Sequence, residues 1–357
     1  MRVLIAAGGT GGHIYPGIAV AKELMSRDAA TVVRFVGTAR GLETRLVPQA
    51  GFELSLIESA GLVNMGLRER VRGLWILPQS FLAARKVIRE FAPDIVVGAG
   101  GYVSGPVLLV ASLLRVPTLV MESNAVPGFT NRTLARFVRR AAVSFPDAVG
   151  YFRGKAVVTG NPVRKEFFDI PSKPRDPERF SLLLFGGSQG ARAINEAMAA
   201  ALPHLDAVRG VLRIEHQTGK ADFEKVRAAY ASAGWAERAN VREYIDDMVG
   251  SFAAADLIIS RAGATTSFEL MAAGKGALMI PLPGQLEQRR NAEAMQKAGA
   301  ARMILQDELT GQRLAQEIAA LVAAPATLTE MEHASRKLAR RDAAGATVKL
   351  MEELVRR

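Results

Sequence analysis

The chain has 357 residues, 49% hydrophobic and 23% charged, with a formal net charge of +11. This exceeds the length that one hydrophobic core usually organises, so two domains are expected, and the composition excludes a disordered or collagen-like chain. With no cysteine there is no disulfide framework, no thiolate metal site and no cysteine nucleophile, which suits a reducing compartment.

Short apolar runs rich in β-branched residues alternate with helical stretches. In the first half the runs lie at 3–7, 31–36, 95–97, 118–121 and 156–159, and in the second at 181–185, 211–216, 257–260 and 277–280. Strands spaced by helices indicate parallel βαβ units, hence an α/β chain with two doubly wound sheets. Residues 161–177 are dense in Pro and charge and read as the boundary, with 168–177 as a linker. The domains are expected at 1–163 and 164–340, with a last helix over 341–357 that crosses back to the first domain. Met1-Arg2 leads straight into an apolar strand, which is not the pattern of an export signal. The longest apolar stretch, 107–114, stops at Arg115, well short of the roughly 20 residues a spanning helix needs.

Each half opens with a strand running into a glycine cluster: Gly8-Gly9-Thr10-Gly11-Gly12-His13, and Gly186-Gly187-Ser188-Gln189-Gly190-Ala191-Arg192. Backbone N–H groups at such a turn, just before a helix, converge on an anion such as a diphosphate. The dinucleotide fingerprint fails because Ile14 stands where its third glycine belongs, and Phe35-Val36-Gly37 replaces the carboxylate near the second strand's end. The Walker pattern fails as well, since no Lys-Ser or Lys-Thr pair follows either cluster. His13 sits at the loop tip, where an imidazole can accept a hydroxyl proton or cap the helix. In Ser260-Arg261-Ala262-Gly263-Ala264-Thr265-Thr266-Ser267-Phe268-Glu269, small residues and hydroxyls follow a strand; Glu269 can accept from a ribose diol or stand as a solvated helix residue. In Gly160-Asn161-Pro162-Val163-Arg164, Arg164 can reach a phosphate or lie on the surface. No Asp-x-Asp pair or metal-ligand spacing occurs, so neither a metal nor a cofactor is expected. The charge suits phosphates or anionic lipid heads; with no zinc spacing and no aromatic–basic RNA motif, nucleic acid is not an expected partner.

These segments, together with Gly100-Gly101-Tyr102-Val103-Ser104-Gly105-Pro106, Glu122-Ser123-Asn124 and Tyr244-Ile245-Asp246-Asp247-Met248, stand over nearly the whole chain in the order seen in the MurG family of glycosyltransferases, glycosyltransferase family 28. The resemblance implies a GT-B fold, two Rossmann-like domains with an interdomain cleft. It implies inverting transfer of N-acetylglucosamine from UDP-GlcNAc to lipid I, undecaprenyl-pyrophosphoryl-MurNAc-pentapeptide, forming lipid II for peptidoglycan. Carried over residue by residue, the UDP-GlcNAc contacts are Thr10, Gly11, Gly12, Asn124, Arg164, Ser188, Ile245 (through its backbone, to uracil), Ala264, Thr265, Thr266, Ser267, Phe268, Glu269 and Gln288. His13 is the implied base, with Glu122 as the alternative. The chain departs from the family at Ser123, where Gln is usual, and at Glu287, where His is usual, and Gln285 competes with Gln288 for the sugar.

The lipid acceptor implies a peripheral protein at the cytoplasmic face of the inner membrane, compatible with association with other cell-wall synthesis proteins. Arg68, Arg70 and Arg72 precede Leu74, Trp75, Ile76, Leu77, Phe81 and Leu82, a mix suited to anionic heads and the interface, or else a core helix flanked by surface arginines. Arg72, Leu74, Trp75 and Phe81 are the expected membrane contacts. The rival functions are a GT-B UDP-sugar transferase with another lipid acceptor such as diacylglycerol, and a non-catalytic nucleotide-sugar-binding module.

Overall fold

The structure, a computed structural model, describes residues 1–39, 41–58 and 67–356, with side chains omitted for 67–76. The chain divides into two units, Met1–Arg164 with Arg340–Arg357, and Lys165–Ala339.

In unit 1 the elements run β1 (Arg2–Ala7), α1 (Gly11–Arg27), β2 (Val32–Gly37), α2 (Glu43–Gln49), β3 (Glu53–Leu56), α3 (Leu67–Phe91), β4 (Ile95–Gly100), α4 (Ser104–Leu113), β5 (Thr118–Glu122), α5 (Phe129–Leu134), β6 (Arg140–Val143) and β7 (Ala156–Val158). The strands pair in parallel in the order β3-β2-β1-β4-β5-β6-β7. Both faces of such a sheet must be covered, and β1 shows it: Val3 and Ile5 pack with Ile14, Leu24 and Phe35, while Leu4 packs on the opposite face with Ile88, Val107 and Leu108.

Unit 2 runs β8 (Phe180–Phe185), α6 (Arg192–Ala201), β9 (Leu212–Gln217), α7 (Phe223–Ser232), β10 (Ala239–Arg242), α8 (Met248–Ala254), β11 (Leu257–Ser260), α9 (Ala264–Ala273), β12 (Ala277–Met279), α10 (Leu286–Lys297), β13 (Ala301–Met303), α11 (Gly311–Val322) and α12 (Pro325–Leu338). Its parallel sheet has the order β10-β9-β8-β11-β12-β13. Trp235, Tyr230, Met198, Leu182, Leu278 and Ile318 belong to one core cluster. The last helix, α13 (Ala343–Val355), returns to unit 1, where Val348, Met351 and Leu354 join the cluster of Ile14 and Phe35.

All nine strands expected from the sequence form, most with ends shifted by a residue or more. Among the described residues four others form that were not anticipated: β3, β6, β10 and β13. Three of these are sheet edges, where only one flank is paired and a three- or four-residue run is enough. The fourth, β6, reads Arg-Ala-Ala-Val, too small and mixed to signal a strand by pattern.

Residues 168–177, expected as a linker, belong to unit 2 and are fastened to it. Asp256, 1% exposed, accepts hydrogen bonds from Lys173 Nζ at 2.6 Å, Arg175 Nη1 at 3.0 Å and the Ser181 amide at 2.8 Å. Arg175 also pairs with Glu332 at 3.0 Å. The charges that looked like a solvated tether instead serve a buried carboxylate. Beside them Lys275, also 1% exposed, donates to the Ala255 carbonyl at 2.7 Å, and burial pushes its pKa down to about 8.

Candidate active site

In unit 1 the site starts where β1 and β4 end side by side. The turn at 8–10 and the turn at 100–103 meet so closely that a Cβ on Gly101 would lie 2.3 Å from the Gly8 carbonyl oxygen. Against Gly100 lies the ring of His13, where a Cβ would come 2.3 Å from Cδ2. Ser104 Oγ ties the turn to β1 by donating to the Ala6 carbonyl at 3.0 Å. Thr10 is exposed and its hydroxyl makes no cap bond to α1, while Gly11 and Gly12 lie in the first turn, where helix N–H groups lack intrahelical acceptors.

His13 Nδ1 is 3.2 Å from the Gly8 carbonyl oxygen. A carbonyl only accepts, so Nδ1 carries the hydrogen and Nε2 is left with its lone pair. Burial of the ring lowers the pKa below the usual histidine value, opposed by the Gly8 bond and by the charge of Glu43. A neutral imidazole with a basic Nε2 is therefore the resting form near neutrality.

The other expected base, Glu122, is arranged differently. Its Oε1 accepts from the Asn124 amide at 2.8 Å and Asn124 Nδ2 at 3.0 Å, and its Oε2 from the Gly128 amide at 3.2 Å and Asn131 Nδ2 at 2.9 Å. Burial raises its pKa against those bonds. With four donors on two oxygens it braces the turn that carries Asn124. Ser123, at the position that departs from the family, donates to Asn161 Oδ1 at 2.8 Å. Arg164 lies 5.6 Å over the Tyr15 ring, a cation–π contact one turn along α1 from Gly11.

In unit 2 the turn after β8 locks against the end of β9: a Cβ on Gly190 would lie 1.8 Å from the Thr218 carbonyl oxygen. Ser188 is exposed at its tip. Gln217, 2% exposed, donates Nε2 to the Gly187 carbonyl at 2.8 Å and accepts the Ile245 amide on Oε1 at 2.8 Å. The Ile245 N–H is thereby already engaged, which leaves the carbonyl for a backbone contact with a base edge. Neither Gln217 nor Glu43 was expected from the sequence. Both are ordinary polar residues whose importance comes from burial, and no spacing rule signals that.

His216 can be set aside as a base. It is fully buried, with Nε2 3.0 Å from Asn195 Oδ1 and Nδ1 3.1 Å from the Tyr230 hydroxyl. The amide oxygen only accepts, so Nε2 donates and Nδ1 receives the Tyr230 proton. Burial holds His216 down to about 4 and pushes Tyr230 well above its ordinary value. Asn195 passes the network on to the Thr218 carbonyl at 2.9 Å and so steadies the glycine turn.

After β11, Gly263 caps α9, placing Ala264, Thr265 and Thr266 in its first turn, with Ser267 Oγ donating to Gly263 at 3.0 Å. Ser260 Oγ and Thr265 Oγ1 are buried without hydrogen-bond partners, an arrangement that marks a place for water or a ligand. Phe268 and Glu269 are buried, at 6% and 8% exposure, so Glu269 is not a solvated helix residue. On α10, Gln288 Oε1 accepts the Leu282 amide at 3.1 Å, which fixes Gln288 with Nε2 as its remaining donor, while Gln285 stands at the N-cap.

Among the described residues no three His, Cys, Asp or Glu side chains cluster as a metal site, and no helix is long and apolar enough to cross a membrane. Of the expected membrane contacts, Arg72, Leu74 and Trp75 have side chains outside the described residues. Phe81 is partly buried against the core cluster of Val107 and Leu108, and Leu82 beside it is 66% exposed.

Comparison with known proteins follows the same division. Residues 3–143 match the glycosyltransferase family 28 N-terminal domain and residues 181–346 its C-terminal domain. A protein of Citrifermentans bemidjiense, named UDP-N-acetylglucosamine--N-acetylmuramyl-(pentapeptide) pyrophosphoryl-undecaprenol N-acetylglucosamine transferase, is 45% identical over 356 residues, 98% of this chain and 99% of that protein. One of Geobacter sulfurreducens with the same name is 44% identical over 355 residues, 98% of this chain and 97% of its own. The crystal structure of Acinetobacter baumannii MurG superposes with a TM-score of 0.79 at 32% identity, covering 99% of each chain. A UDP-GlcNAc 2-epimerase from Neisseria meningitidis, 14% identical with a TM-score of 0.71, shares the fold alone. Two doubly wound parallel sheets, a glycine turn at the head of each, and both domain matches in register establish a hexosyltransferase of GT-B fold: the chain belongs to glycosyltransferase family 28.

Proposed function

We propose that the chain transfers N-acetylglucosamine from UDP-GlcNAc to lipid I, forming lipid II with inversion at the anomeric carbon. The observation that carries the catalytic part is His13, held by the Gly8 carbonyl so that Nε2 is free to accept a proton. Nε2 takes the proton of the acceptor hydroxyl as its oxygen bonds to the anomeric carbon. The bond from that carbon to the β-phosphate oxygen breaks, and its electron pair leaves with UDP. The N–H groups of the turn at 186–191, with Ser188, counter the charge that develops on the diphosphate. Ile245 and residues 264–269 take the nucleoside, with Glu269 on the ribose. Gln288, already oriented by the Leu282 amide, serves the sugar hydroxyls, and Asn124 is presented by the turn that Glu122 braces. The deciding experiment is transfer of labelled N-acetylglucosamine to a short-chain lipid-linked muramyl-pentapeptide, with diacylglycerol as the competing acceptor. Product on the muramyl lipid alone is expected; product on diacylglycerol alone would replace the acceptor assignment.

On the lipid tail of that acceptor the proposal extends to a peripheral protein at the cytoplasmic face of the membrane, with α3 as the candidate contact. Because Phe81 packs inward, the informative substitution pairs Trp75 with the exposed Leu82. The double change to Ser lowers co-sedimentation with anionic vesicles by about tenfold while UDP-GlcNAc binding is retained. Sedimentation equal to the unmodified protein would remove α3 from the membrane contact.

A further inference from the structure

A carboxylate lies beneath the first glycine turn. Glu43, at the start of α2, is fully buried. Its Oε2 accepts the Gly9 amide at 2.9 Å, and its Oε1 accepts the Thr38 amide and the Thr38 hydroxyl, both at 2.8 Å. The surroundings are cut to fit it: a Cβ on Gly37 would lie 2.5 Å from Glu43 Cγ, and one on Gly41 would lie 1.9 Å from Oε2. All three bonds are donated to the carboxylate, the pattern of an ionised group. Burying a charge is costly unless it is fully hydrogen-bonded, and a structural brace for a tight turn can be built from neutral groups. A charge kept here therefore calls for a use.

We propose that Glu43 is a positioning residue of the transfer reaction: it fixes the turn at 8–10 that holds His13, and its charge strengthens Nε2 as the base. Two chains of contact lead from it to the imidazole. Through bonds, Glu43 holds the Gly9 amide, and the neighbouring Gly8 carbonyl holds His13 Nδ1. Through space, the carboxylate raises the affinity of the imidazole for a proton, against the burial that lowers it. Around the ring, the β1–α1 turn supplies the uncharged Gly8 carbonyl, the β4–α4 turn supplies Gly100 with the exposed Tyr102 farther along, and α2 supplies Glu43. The role assigned to His13 as base rests on the proposed reaction, whereas the coupling between Glu43 and His13 does not.

The experiment is therefore double. NMR titration of the four histidines in the full chain is compared for the unmodified protein and Glu43→Gln, with the exposed His204 and His333 and the buried His216 as internal references. In Glu43→Gln the His13 pKa falls by about one unit and the references do not move. The acid limb of kcat/KM moves to lower pH by the same amount, and kcat at its plateau falls about tenfold, since a weaker base accepts less of the proton. An unchanged His13 pKa, with only a lower melting temperature, would make Glu43 a structural brace and overturn the proposal. If the pKa moves but the pH–rate profile does not, the coupling stands and His13 is not the base. Should Glu43→Gln fail to fold, Thr38→Ala decides: it keeps the carboxylate, removes one of its hydrogen bonds, and raises the His13 pKa by a few tenths of a unit. No movement in that variant would equally overturn the coupling.

Discussion

Replacing His13 with Ala lowers kcat for sugar transfer about a thousandfold, within the range that a positioned base contributes, and leaves the KM for UDP-GlcNAc within a few-fold of its original value. In the proposed reaction the imidazole serves the acceptor hydroxyl, and the donor contacts proposed in unit 2 do not pass through it. The pH dependence gives a second readout. Because burial lowers the His13 pKa, the base form exists from below the ordinary histidine value upward. Transfer is then flat near neutrality and declines only as acid protonates Nε2. The Ala variant has no such limb. Steady-state kinetics with labelled donor between about pH 5 and pH 9 checks both parts, and a variant that keeps its kcat would move the base elsewhere.

The largest effect on stability is expected at a residue with no part in the chemistry. Asp256→Ala strips the carboxylate from Lys173, leaves Arg175 with Glu332 alone and weakens the hold on nearby Lys275, and breaking a buried ion pair from one side typically costs about 3–5 kcal/mol. For a unit of this size that is a fall in melting temperature of roughly 10 °C, measurable by calorimetry. The deficit also depends on pH, with a definite sign. Lys275 is held down to about 8 by burial, while an unfolded lysine keeps its proton to higher pH. The cost of carrying it charged is thus full below pH 8 and fades as the solution becomes more alkaline. Part of the Asp256→Ala deficit is accordingly recovered above pH 8. A variant that melts within about 2 °C of the parent would show that the cluster contributes little.

What the sequence disclosed, and what it withheld, follows from how each feature is encoded. Runs such as 3–7 and 257–260 announce strands because a parallel sheet buried on both faces demands continuous apolar residues. The glycine turns are equally legible, since close approach of two backbones leaves a residue type in the sequence. Glu43 and Gln217 left no such trace. A glutamate at the head of a short helix normally reads as a surface residue favoured by the helix dipole, and only the packing around it reveals burial. Residues 168–177 misled for a related reason: Pro and charge signal a solvated tether by composition, yet two of those charges answer a carboxylate far along the chain. Spacing alone leaves Glu269 open between a ribose contact and a solvated helix position, and the α9 packing that buries it is a property of the folded sheet.

The two turns that head the sheets present main-chain atoms, and glycine is held at Gly186 and Gly190 by backbone pressing on the other side and at Gly8 by the side chains of Glu43 and Val103. Side-chain replacement is the ordinary currency of natural variation, and at these places it has nothing to exchange. An inhibitor that engages the peptide groups at Gly8, Gly186 and Gly190 would face positions where a larger side chain does not fit, and escape would have to arise at other residues.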